Sequence, residues 1–348
     1  MRRAGLALVG MALAAAAAGA GVFWWLDRRS GEPHRGWTGD ERLVVIEPGA
    51  SVAAIGARLV SAGVVIDDRT FRWTVWRRDA ARRLQAGEYR FTAPLPATDV
   101  VGMLVRGDVA LWPLTVPEGL TIAEMGEIFA RADRGSASSF ADAARRADLV
   151  RDLDPAAPDL EGYLFPDTYS LPRGTSAERL VGLMASGFRS AFDDALRGEA
   201  SRLGLSVRQA VTLASLIEKE TAKAEERALV SAVYHNRLRI GMRLQCDPTV
   251  IYALARAGRY SGNLRREDLD LDSPYNTYRY AGLPPGPIAA PGRASLEAAV
   301  RPAPVDYLYF VSRNDGSHVF ASTLKEHNAN VRRYQVEYFR ERRGKNLK

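Results

Sequence analysis

The segment SVRQAVTLASLIEKE, residues 206–220, has the features of a buried helix. Ser206 and Gln209 form a capping box, in which a hydroxyl residue is followed three positions later by a Glu or Gln that returns the hydrogen bond. The apolar residues that follow cover a wide part of the helix surface: Val211, Leu213, Ala214, Leu216 and Ile217. Because this surface is too wide for an exposed helix, the segment predicts a helix inside the protein.

Two glutamates close this helix, and they differ in the side chains three and four positions away, which are the ones a helical residue meets. Lys223 is placed to pair with Glu220 as an ordinary ion pair. The corresponding neighbours of Glu218 are small and uncharged: Ala214, Ser215, Thr221 and Ala222. Poor solvation without a cation raises the pKa of a carboxyl, as a general acid near neutral pH requires. From these residues alone, Glu218 is either a catalytic acid or a structural carboxyl.

The composition is that of a folded, basic protein. Of 348 residues, 47% are apolar and 26% are charged, and the net charge is +7. This balance indicates either an anionic neighbour, such as lipid headgroups, a nucleic acid or a wall polymer, or dispersed surface arginine. A single cysteine, Cys246, excludes an intramolecular disulfide, and the four histidines lack the spacing of a zinc site.

The N-terminus carries an uncharged apolar run, residues 4–26, which follows two arginines and ends in Trp24 and Trp25. At about 1.5 Å per residue it is just long enough to cross a hydrocarbon core of roughly 30 Å. The arginines favour a cytoplasmic N-terminus and the tryptophans mark the far interface. A signal peptide cleaved near residues 18–20 is the alternative, but the length of the run favours an uncleaved anchor. Either interpretation exports the rest of the chain, which argues against a nucleic-acid partner.

A weak repeat follows the anchor. VVIEPGASVAAIGARLVSAGVV (44–65) and LTVPEGLTIAEMGEIFARAD (114–133) each predict a strand, a Gly-containing turn and a helix with a hydroxyl N-cap. The first copy continues into a second helix and a strand, and this βααβ order resembles the LysM module that binds peptidoglycan. A generic helix–strand packing unit has the same order. Trp73 and Trp76 can stack on sugars, but their spacing favours core positions.

Two connections after the glutamates are candidate binding loops. Gly241 predicts the end of one helix, and Asp247-Pro248 predicts the start of another, with Asp247 as its N-cap. Gln245 lies in the same connection, and such loops often carry function. Residues 259–293 lack periodicity, which is typical of a binding loop. Its polar and aromatic side chains can contact sugars or can anchor the loop to the core: Tyr275, Asn276, Thr277, Tyr278 and Tyr280.

The C-terminal part of the chain predicts structural elements. DYLYFV and HVFAS alternate as strands, and they are joined through Asn314-Asp315-Gly316, a hairpin signal. A final helix, TLKEHNANVRRYQVEYF, begins with a capping box of Thr323 and Glu326. We expect its His327 to pack or cap rather than to bind a ligand.

Five segments, taken in their order along the chain, resemble the endolytic murein transglycosylase family: EGYLFPDTY (161–169), ASLIEKET (214–221), NRLRIGMRLQCDPTVIYAL (236–254), SPYNTYRYAGLPPGPIAAPG (273–292) and YLYFVSRNDGSHVFASTLKEHN (307–328). With the anchor and the LysM-like unit, the resemblance covers nearly the whole chain. Cys246 departs from the family, in which a polar residue is more usual, and this affects packing rather than catalysis.

The resemblance implies a single-pass protein of the cell inner membrane, with a cytoplasmic N-terminus and a periplasmic catalytic domain, that cuts nascent glycan strands and limits their length. The bond cleaved is the β-1,4 bond between N-acetylmuramic acid and N-acetylglucosamine, and the new end is 1,6-anhydromuramyl. The family's catalytic glutamate, in the EKE motif, maps onto Glu218. The implied partners are peptidoglycan glycan strands, membrane lipid around the N-terminal helix, and the penicillin-binding synthases of wall elongation.

We therefore predict an α+β fold with a transmembrane anchor (1–27), a linker (28–40), a small LysM-like domain (41–112) and a larger catalytic domain (113–342). Glu218 is the predicted single acid/base. The predicted substrate contacts are Glu161, Gln245, Asp247, Tyr275, Asn276, Thr277 and Tyr278. The muramyl 6-hydroxyl attacks its own anomeric carbon, so the reaction needs no second carboxylate, metal or organic cofactor.

The sequence leaves two other functions open. A hydrolase of the same glycan needs a second carboxylate, for which Glu161 and Asp167 are candidates, although EGYLFPDTY is also typical of a structural turn. A membrane-tethered scaffold that binds the wall without cutting it would use the LysM-like unit and the basic charge.

Overall fold

A computed structural model describes residues 2–338 and residue 340, with side chains from Val9 onward. Residues 341–342, the end of the predicted catalytic domain, lie outside the described residues. The described helices are α1 (Arg2–Ser30), α2 (Val52–Ser61), α3 (Asp68–Arg77), α4 (Ala97–Arg106), α5 (Ile122–Arg131), α6 (Ala137–Ala144), α7 (Ala177–Ala191), α8 (Asp194–Arg202), α9 (Val207–Glu220), α10 (Arg227–Arg239), α11 (Asp247–Arg256), α12 (Arg293–Val300) and α13 (Leu324–Val331). The described strands are β1 (Arg42–Ile46), β2 (Gly87–Phe91), β3 (Trp112–Thr115), β4 (Thr168–Leu171), β5 (Tyr309–Ser312) and β6 (His318–Ala321).

The described strands pair into three two-stranded sheets, β1–β2, β3–β4 and β5–β6. Helices form most of the remaining regular structure, which confirms the mixed α+β class. Two compact units are present. The smaller unit contains the chain up to Pro113 and Ser170–Arg173, and the larger contains Leu114–Tyr169 and the chain from Gly174.

The smaller unit has the predicted βααβ order. Strand β1 pairs antiparallel with β2, so that Arg42 lies opposite Phe91, and α2 and α3 are inserted between the two strands. Leu59, Phe71 and Tyr89 lie at the centre of its core and are fully buried. The described part of α1 is long and apolar enough to cross a membrane and is not covered by protein. A membrane anchor and a signal segment both fit this helix.

Residues 28–40, which the sequence predicts to be a linker, are attached to the smaller unit. Helix α1 continues to Ser30, and the His34 backbone N–H donates to the Leu95 carbonyl at 3.0 Å. The Trp37 ring is buried in the core of this unit. The predicted core position of Trp76 is wrong, since its side chain is 67% exposed.

Both copies of the weak repeat fold as predicted. Gly49 and Gly119 occupy equivalent turns with φ of 77° and 76°, a region that glycine enters without a steric cost. Ser51 and Thr121 then cap α2 and α5 through their hydroxyls. The turn at Gly119 matters most for function because it borders the candidate site.

Helix α9 is the buried helix that the sequence predicts. Its capping box, Ser206 with Gln209, is formed, and every residue from Ala210 to Ile217 is buried. Helices α8, α10, α11 and α12 all pack against it. The burial of a wide apolar surface on several sides fixes the position of α9, and therefore of the two glutamates at its end.

The C-terminal elements follow the prediction closely. Strands β5 and β6 form an antiparallel hairpin in which Tyr309 lies opposite Ala321. The Thr323–Glu326 capping box starts α13, which continues into a π-helical turn, Arg332–Glu337. His327 stacks on the Tyr309 ring with 5.0 Å between ring centroids, so it packs, as expected.

Candidate functional site

Glu218 lies where three segments of the larger unit meet. It ends the buried part of α9 and is half-buried. The Gly292 backbone N–H donates to its Oε2 at 3.0 Å. The turn at Gly119 passes its side chain closely, since a Cβ built on Gly119 would lie 3.7 Å from Glu218 Cγ. Helix α9 ends at Glu220, so Thr221 and Ala222, two of the four small helical neighbours predicted for Glu218, lie beyond the helix. Two glycines from distant segments border its side chain instead.

The two glycine-bearing segments are fastened to each other and to α9. The Gly119 N–H donates to the Ala290 carbonyl at 2.8 Å. The Ile288 N–H donates to Ser215 Oγ at 3.1 Å, and Lys219 Nζ donates to the Gly119 carbonyl at 3.0 Å. These bonds hold the carboxyl of Glu218 in one position, as an acid that must reach a single substrate atom requires.

A second carboxylate, Glu118, lies beside Glu218. A Cβ built on Gly292 would fall 1.9 Å from Glu118 Oε1, so the Glu118 carboxylate occupies the space that glycine leaves open. Burial and then the negative charge of Glu218 raise the pKa of Glu118, and Arg227 opposes this. The contribution of Glu218 to this rise means that the two carboxylates are close enough to repel each other.

Glu220 has surroundings that differ from the prediction. Helix α9 ends at Glu220, so Lys223 lies beyond the helix, and the predicted helical pairing of these residues is wrong. Instead, Tyr234 Oη donates to Glu220 Oε1 at 2.9 Å, and the Cys246 thiol bonds to the same carboxyl. Burial raises the pKa of Glu220, although these hydrogen bonds lower it in part.

A polar cavity of about 240 Å³ lies beside Glu220. Its other lining residues are Arg237, Leu244, Gln245, Asp247, Tyr278, Phe310 and His327. Residues two positions apart on a helix project about 200° from each other. The cavity and the Glu118–Glu218 pair are therefore separate features. Of the two candidate binding loops, the end of residues 259–293 reaches Glu218 through Gly292, whereas Gln245, Asp247 and Tyr278 lie around Glu220.

The predicted binding loops are cross-linked by side chains. Tyr278 Oη donates to Asp247 Oδ1 at 2.5 Å. Asp247 is the first residue of α11 and Cys246 is the N-cap, so the predicted capping role of Asp247 is wrong. Gln245 is exposed with φ of 52°, and its N–H donates to the Thr277 carbonyl. Gln245, Asp247 and Tyr278 all remain accessible from the cavity.

Asn276 and Thr277 point into the protein. The Asn276 amide donates to the carbonyls of Leu269 and Leu271, and the Thr277 hydroxyl contacts Thr249 at 2.9 Å. Both side chains are buried, so this geometry gives them the role of anchoring the loop.

The half-buried Tyr275 ring packs against the Tyr252 ring, with 5.0 Å between centroids. The Arg256 guanidinium lies over both rings. Tyr275 therefore belongs to an aromatic cluster that also contacts Glu161.

Glu161 is held by two donors. The Ile122 N–H donates to Oε1 at 3.1 Å, and Tyr252 Oη donates to Oε2 at 3.2 Å. Burial raises the pKa of Glu161 to about 8, although the two hydrogen bonds lower it in part. The carboxyl is therefore largely neutral at pH 7, which is unusual for a glutamate.

The raised pKa of Glu161 predicts a pH dependence of stability. Because the folded state binds this proton more tightly than the unfolded state, the free energy of unfolding falls as pH rises from about 4.5 to about 8. Glutamine mimics the neutral acid, so Glu161→Gln should remove this fall and gain on the order of 3 kcal/mol over the wild type at pH 8. Denaturant unfolding of both proteins at pH 5 and pH 8 measures the difference. Parallel pH profiles would show that Glu161 titrates normally.

Glu118 is the site residue that sequence reasoning missed. It lies in the second copy of the repeat, directly before Gly119, where the pattern indicated only a turn. The sequence did contain a signal for Glu118: the turn requires the glycine but not the glutamate before it, so the glutamate indicates a role other than forming the turn. Among the described residues, no group of three or more His, Cys, Asp or Glu side chains is arranged to hold a metal ion.

The fold and the site together define a mixed α+β protein with an apolar N-terminal helix and a pair of neighbouring carboxylates in its larger unit. Comparison with known proteins then gives the family. The sequence profile of the YceG-like family matches residues 44–333, and the chain belongs to this family.

Two curated relatives are both named endolytic murein transglycosylase, which confirms the resemblance drawn from the sequence motifs. The Bacillus subtilis (strain 168) protein is 34% identical over 83% of this chain and 83% of its own length. The Streptococcus pneumoniae (strain D39) protein is 30% identical over 83% of this chain and 57% of its own length. A crystal structure of a yceG-like protein from Listeria monocytogenes is 31% identical, with a TM-score of 0.57 over 84% of this chain and 99% of that one.

Proposed function

We propose that this protein is a membrane-anchored endolytic murein transglycosylase that cleaves the β-1,4 bond between N-acetylmuramic acid and N-acetylglucosamine without water. The observation that carries the proposal is the position of Glu218. Its half-buried carboxyl lies in the last turn of α9, is held by the Gly292 N–H and is bordered by glycines. The chain that carries it is 34% identical to a protein named for this activity. The product end is 1,6-anhydromuramyl, and cutting within nascent strands limits their length.

Glu218 acts as the acid in this proposal. Its proton goes to the oxygen between the two sugars as the bond from that oxygen to the anomeric carbon breaks. The muramyl 6-hydroxyl forms the new bond to the anomeric carbon, and its proton returns to Glu218 or is accepted with the help of the substrate acetamido group. Bonds and protons balance without water, so the substrate provides both nucleophile and leaving group.

Glu118 makes the proton available. Burial and the negative charge of Glu218 raise the pKa of Glu118, so Glu118 takes up a proton more readily than an ordinary glutamate when a glycan displaces water from the site, and it supplies that proton to Glu218. That proton is the one the leaving oxygen requires. The Gly292 N–H orients the Glu218 carboxyl by bonding one of its oxygens, and the other oxygen is left for the substrate.

The remaining parts of the proposal concern the surroundings of the reaction. The cavity beside Glu220 offers Gln245, Asp247 and Tyr278 for contacts with saccharide units further along the strand. Tyr275 and Glu161, in the aromatic cluster, are further proposed contacts with the glycan, while Asn276 and Thr277 hold the loop. Helix α1 anchors the chain in the inner membrane, with the larger unit in the periplasm. The smaller unit acts as a LysM-like module, and the penicillin-binding synthases are the partners that supply the strand.

Hydrolysis is the second candidate, and Glu118 is the observation that favours it. A hydrolase needs one carboxyl to protonate the leaving oxygen and another to act on water or on the sugar. Glu118 fills that requirement better than Glu161 or Asp167. The Glu161 carboxyl is bonded to Ile122 and Tyr252, and Asp167 Oδ1 accepts the N–H of Thr168.

The product masses test the proposal. Purified wall is incubated with the full-length protein in detergent, and soluble fragments are analysed by mass spectrometry. We expect anhydro ends, which are one water lighter than reducing ends. Reducing ends would establish the hydrolase. Binding to the wall with no fragment released would establish a scaffold and overturn both enzymes.

A further inference from the structure

Helix α3 runs back along α1 within the smaller unit, and two contacts fix their register. Arg29 Nε lies 3.0 Å from Oδ2 of Asp67, the N-cap of α3. Trp73 follows Asp67 by six residues on α3, and Phe23 precedes Arg29 by six residues on α1. The Trp73 and Phe23 rings meet edge to face, with 4.8 Å between their centroids. A rise of about 1.5 Å per residue separates the two contacts by about 9 Å on either helix. The helices therefore lie side by side and antiparallel.

This register sets the level of Trp76 relative to the apolar run of α1. Trp76 follows Trp73 by three residues, and its ring is 5.0 Å from the Trp73 ring. Because the helices are antiparallel, Trp76 lies about one helical turn beyond Phe23 toward the N-terminus of α1. This level is beside the apolar run, on the membrane side of Trp24 and Trp25. Trp76 is 67% exposed. Apart from the face that packs on Trp73, its ring is left to solvent at this level.

Arginines follow this tryptophan directly. Arg77 ends α3, Arg78 is its C-cap, and Arg82 and Arg83 follow; all four are exposed. Arg78 and Arg83 line a groove of about 390 Å³ together with Arg106. Guanidinium groups that share a groove bind phosphate oxygens well, because each presents several N–H donors in a plane.

We propose that residues 76–83 dock on the membrane surface from which α1 emerges, with Trp76 in the interfacial layer and the arginines on anionic phospholipid headgroups. The inference rests on the proposal that α1 is an uncleaved anchor. Tryptophan prefers the membrane–water interface and clustered arginines are attracted to anionic lipid. Sugar stacking is the competing use of Trp76. Lipid is favoured because the register with α1 places the ring beside the apolar run.

Fluorescence quenching in vesicles tests this docking. The full chain, in a Cys246→Ser background, is labelled with a polarity-sensitive fluorophore after Trp24→Cys, Trp76→Cys or Ile240→Cys. Each variant is reconstituted into phosphatidylethanolamine vesicles with or without phosphatidylglycerol, containing a lipid with a nitroxide at the headgroup. The label at position 24 reports insertion of α1. The label at position 240, where the wild type has an exposed isoleucine of the larger unit, measures the background quenching of a site that is not proposed to contact lipid.

We expect quenching at position 76 within about twofold of that at position 24, well above the background, and reduced when phosphatidylglycerol is omitted. Quenching at position 24 alone would overturn the docking and leave the anchor intact. Quenching at neither position would overturn the anchor and the docking together, while the product masses from wall would still test the glycan chemistry separately. A response at position 76 that appears only after glycan strands are added would assign Trp76 to sugar binding and overturn the lipid proposal.

Discussion

Replacing Glu218 with glutamine is expected to abolish the release of anhydro-ended fragments from purified wall and to leave the fold intact. The amide oxygen of glutamine can still accept the Gly292 N–H, which lies 3.0 Å from Glu218 Oε2 in the wild type. Glutamine has no proton for the leaving oxygen, and loss of a general acid slows a reaction about 10²- to 10⁴-fold. Mass spectrometry of the soluble fragments measures the loss, and thermal unfolding followed by circular dichroism checks the fold.

Glu220→Gln is the matched control for this variant. The substitution is the same, the residue lies two positions further along, and the amide can still accept the Tyr234 hydroxyl that bonds Glu220 at 2.9 Å. Because glutamine has nearly the same size as glutamate and keeps this hydrogen bond, we expect activity near that of the wild type. Full activity in Glu218→Gln would refute the assignment. Loss in Glu220→Gln alone would move the acid to the cavity that Glu220 lines.

Local signals in the sequence were sufficient for the elements that build the site. The capping boxes at Ser206 and Thr323 and the hydroxyl N-cap at Thr121 all form, since each depends only on residues within one helical turn. The equivalence of Gly49 and Gly119 also holds, because the turn requires a positive φ in both copies. Local chemistry of this kind placed Glu218 correctly at the end of a buried helix.

The sequence could not show which side chains meet across the fold. The predicted pairing of Glu220 with Lys223 assumed that the helix continues, and it ends at Glu220. Trp76 has helical spacing typical of a core residue, but its face of α3 turns toward solvent at the side of α1. Glu118 is separated from Glu218 by one hundred residues of sequence. Contacts of this kind depend on tertiary packing, and no local pattern contains them.

Glu118→Gln is expected to lower activity at neutral pH by about 10- to 100-fold and to move the basic limb of the rate profile to lower pH. In the proposed mechanism, Glu118, whose pKa is raised by burial and by the charge of Glu218, holds the proton that is supplied to Glu218 when glycan is bound, and a neutral amide cannot supply it. The reaction should therefore recover as the pH is lowered, which a purely structural role for Glu118 would not produce. Initial rates of anhydro-end formation from pH 4 to pH 8 measure the shift, and an unchanged profile would exclude Glu118 from the proton transfer.

Gly292→Ala tests the same interaction with both carboxylates present. The added Cβ would fall 1.9 Å from Glu118 Oε1, and the flexible end of that side chain can move away at little cost in stability. The backbone N–H of residue 292 still donates to Glu218, so only the pairing of the two carboxylates is disturbed. Gly174→Ala is the control, because a Cβ there meets no atom within 4 Å. If the mechanism holds, Gly292→Ala moves the rate profile in the same direction as Glu118→Gln, and Gly174→Ala does not. A shift in Glu118→Gln without one in Gly292→Ala would mean that the charge of Glu118 acts without contact at Gly292, through the field of the site alone.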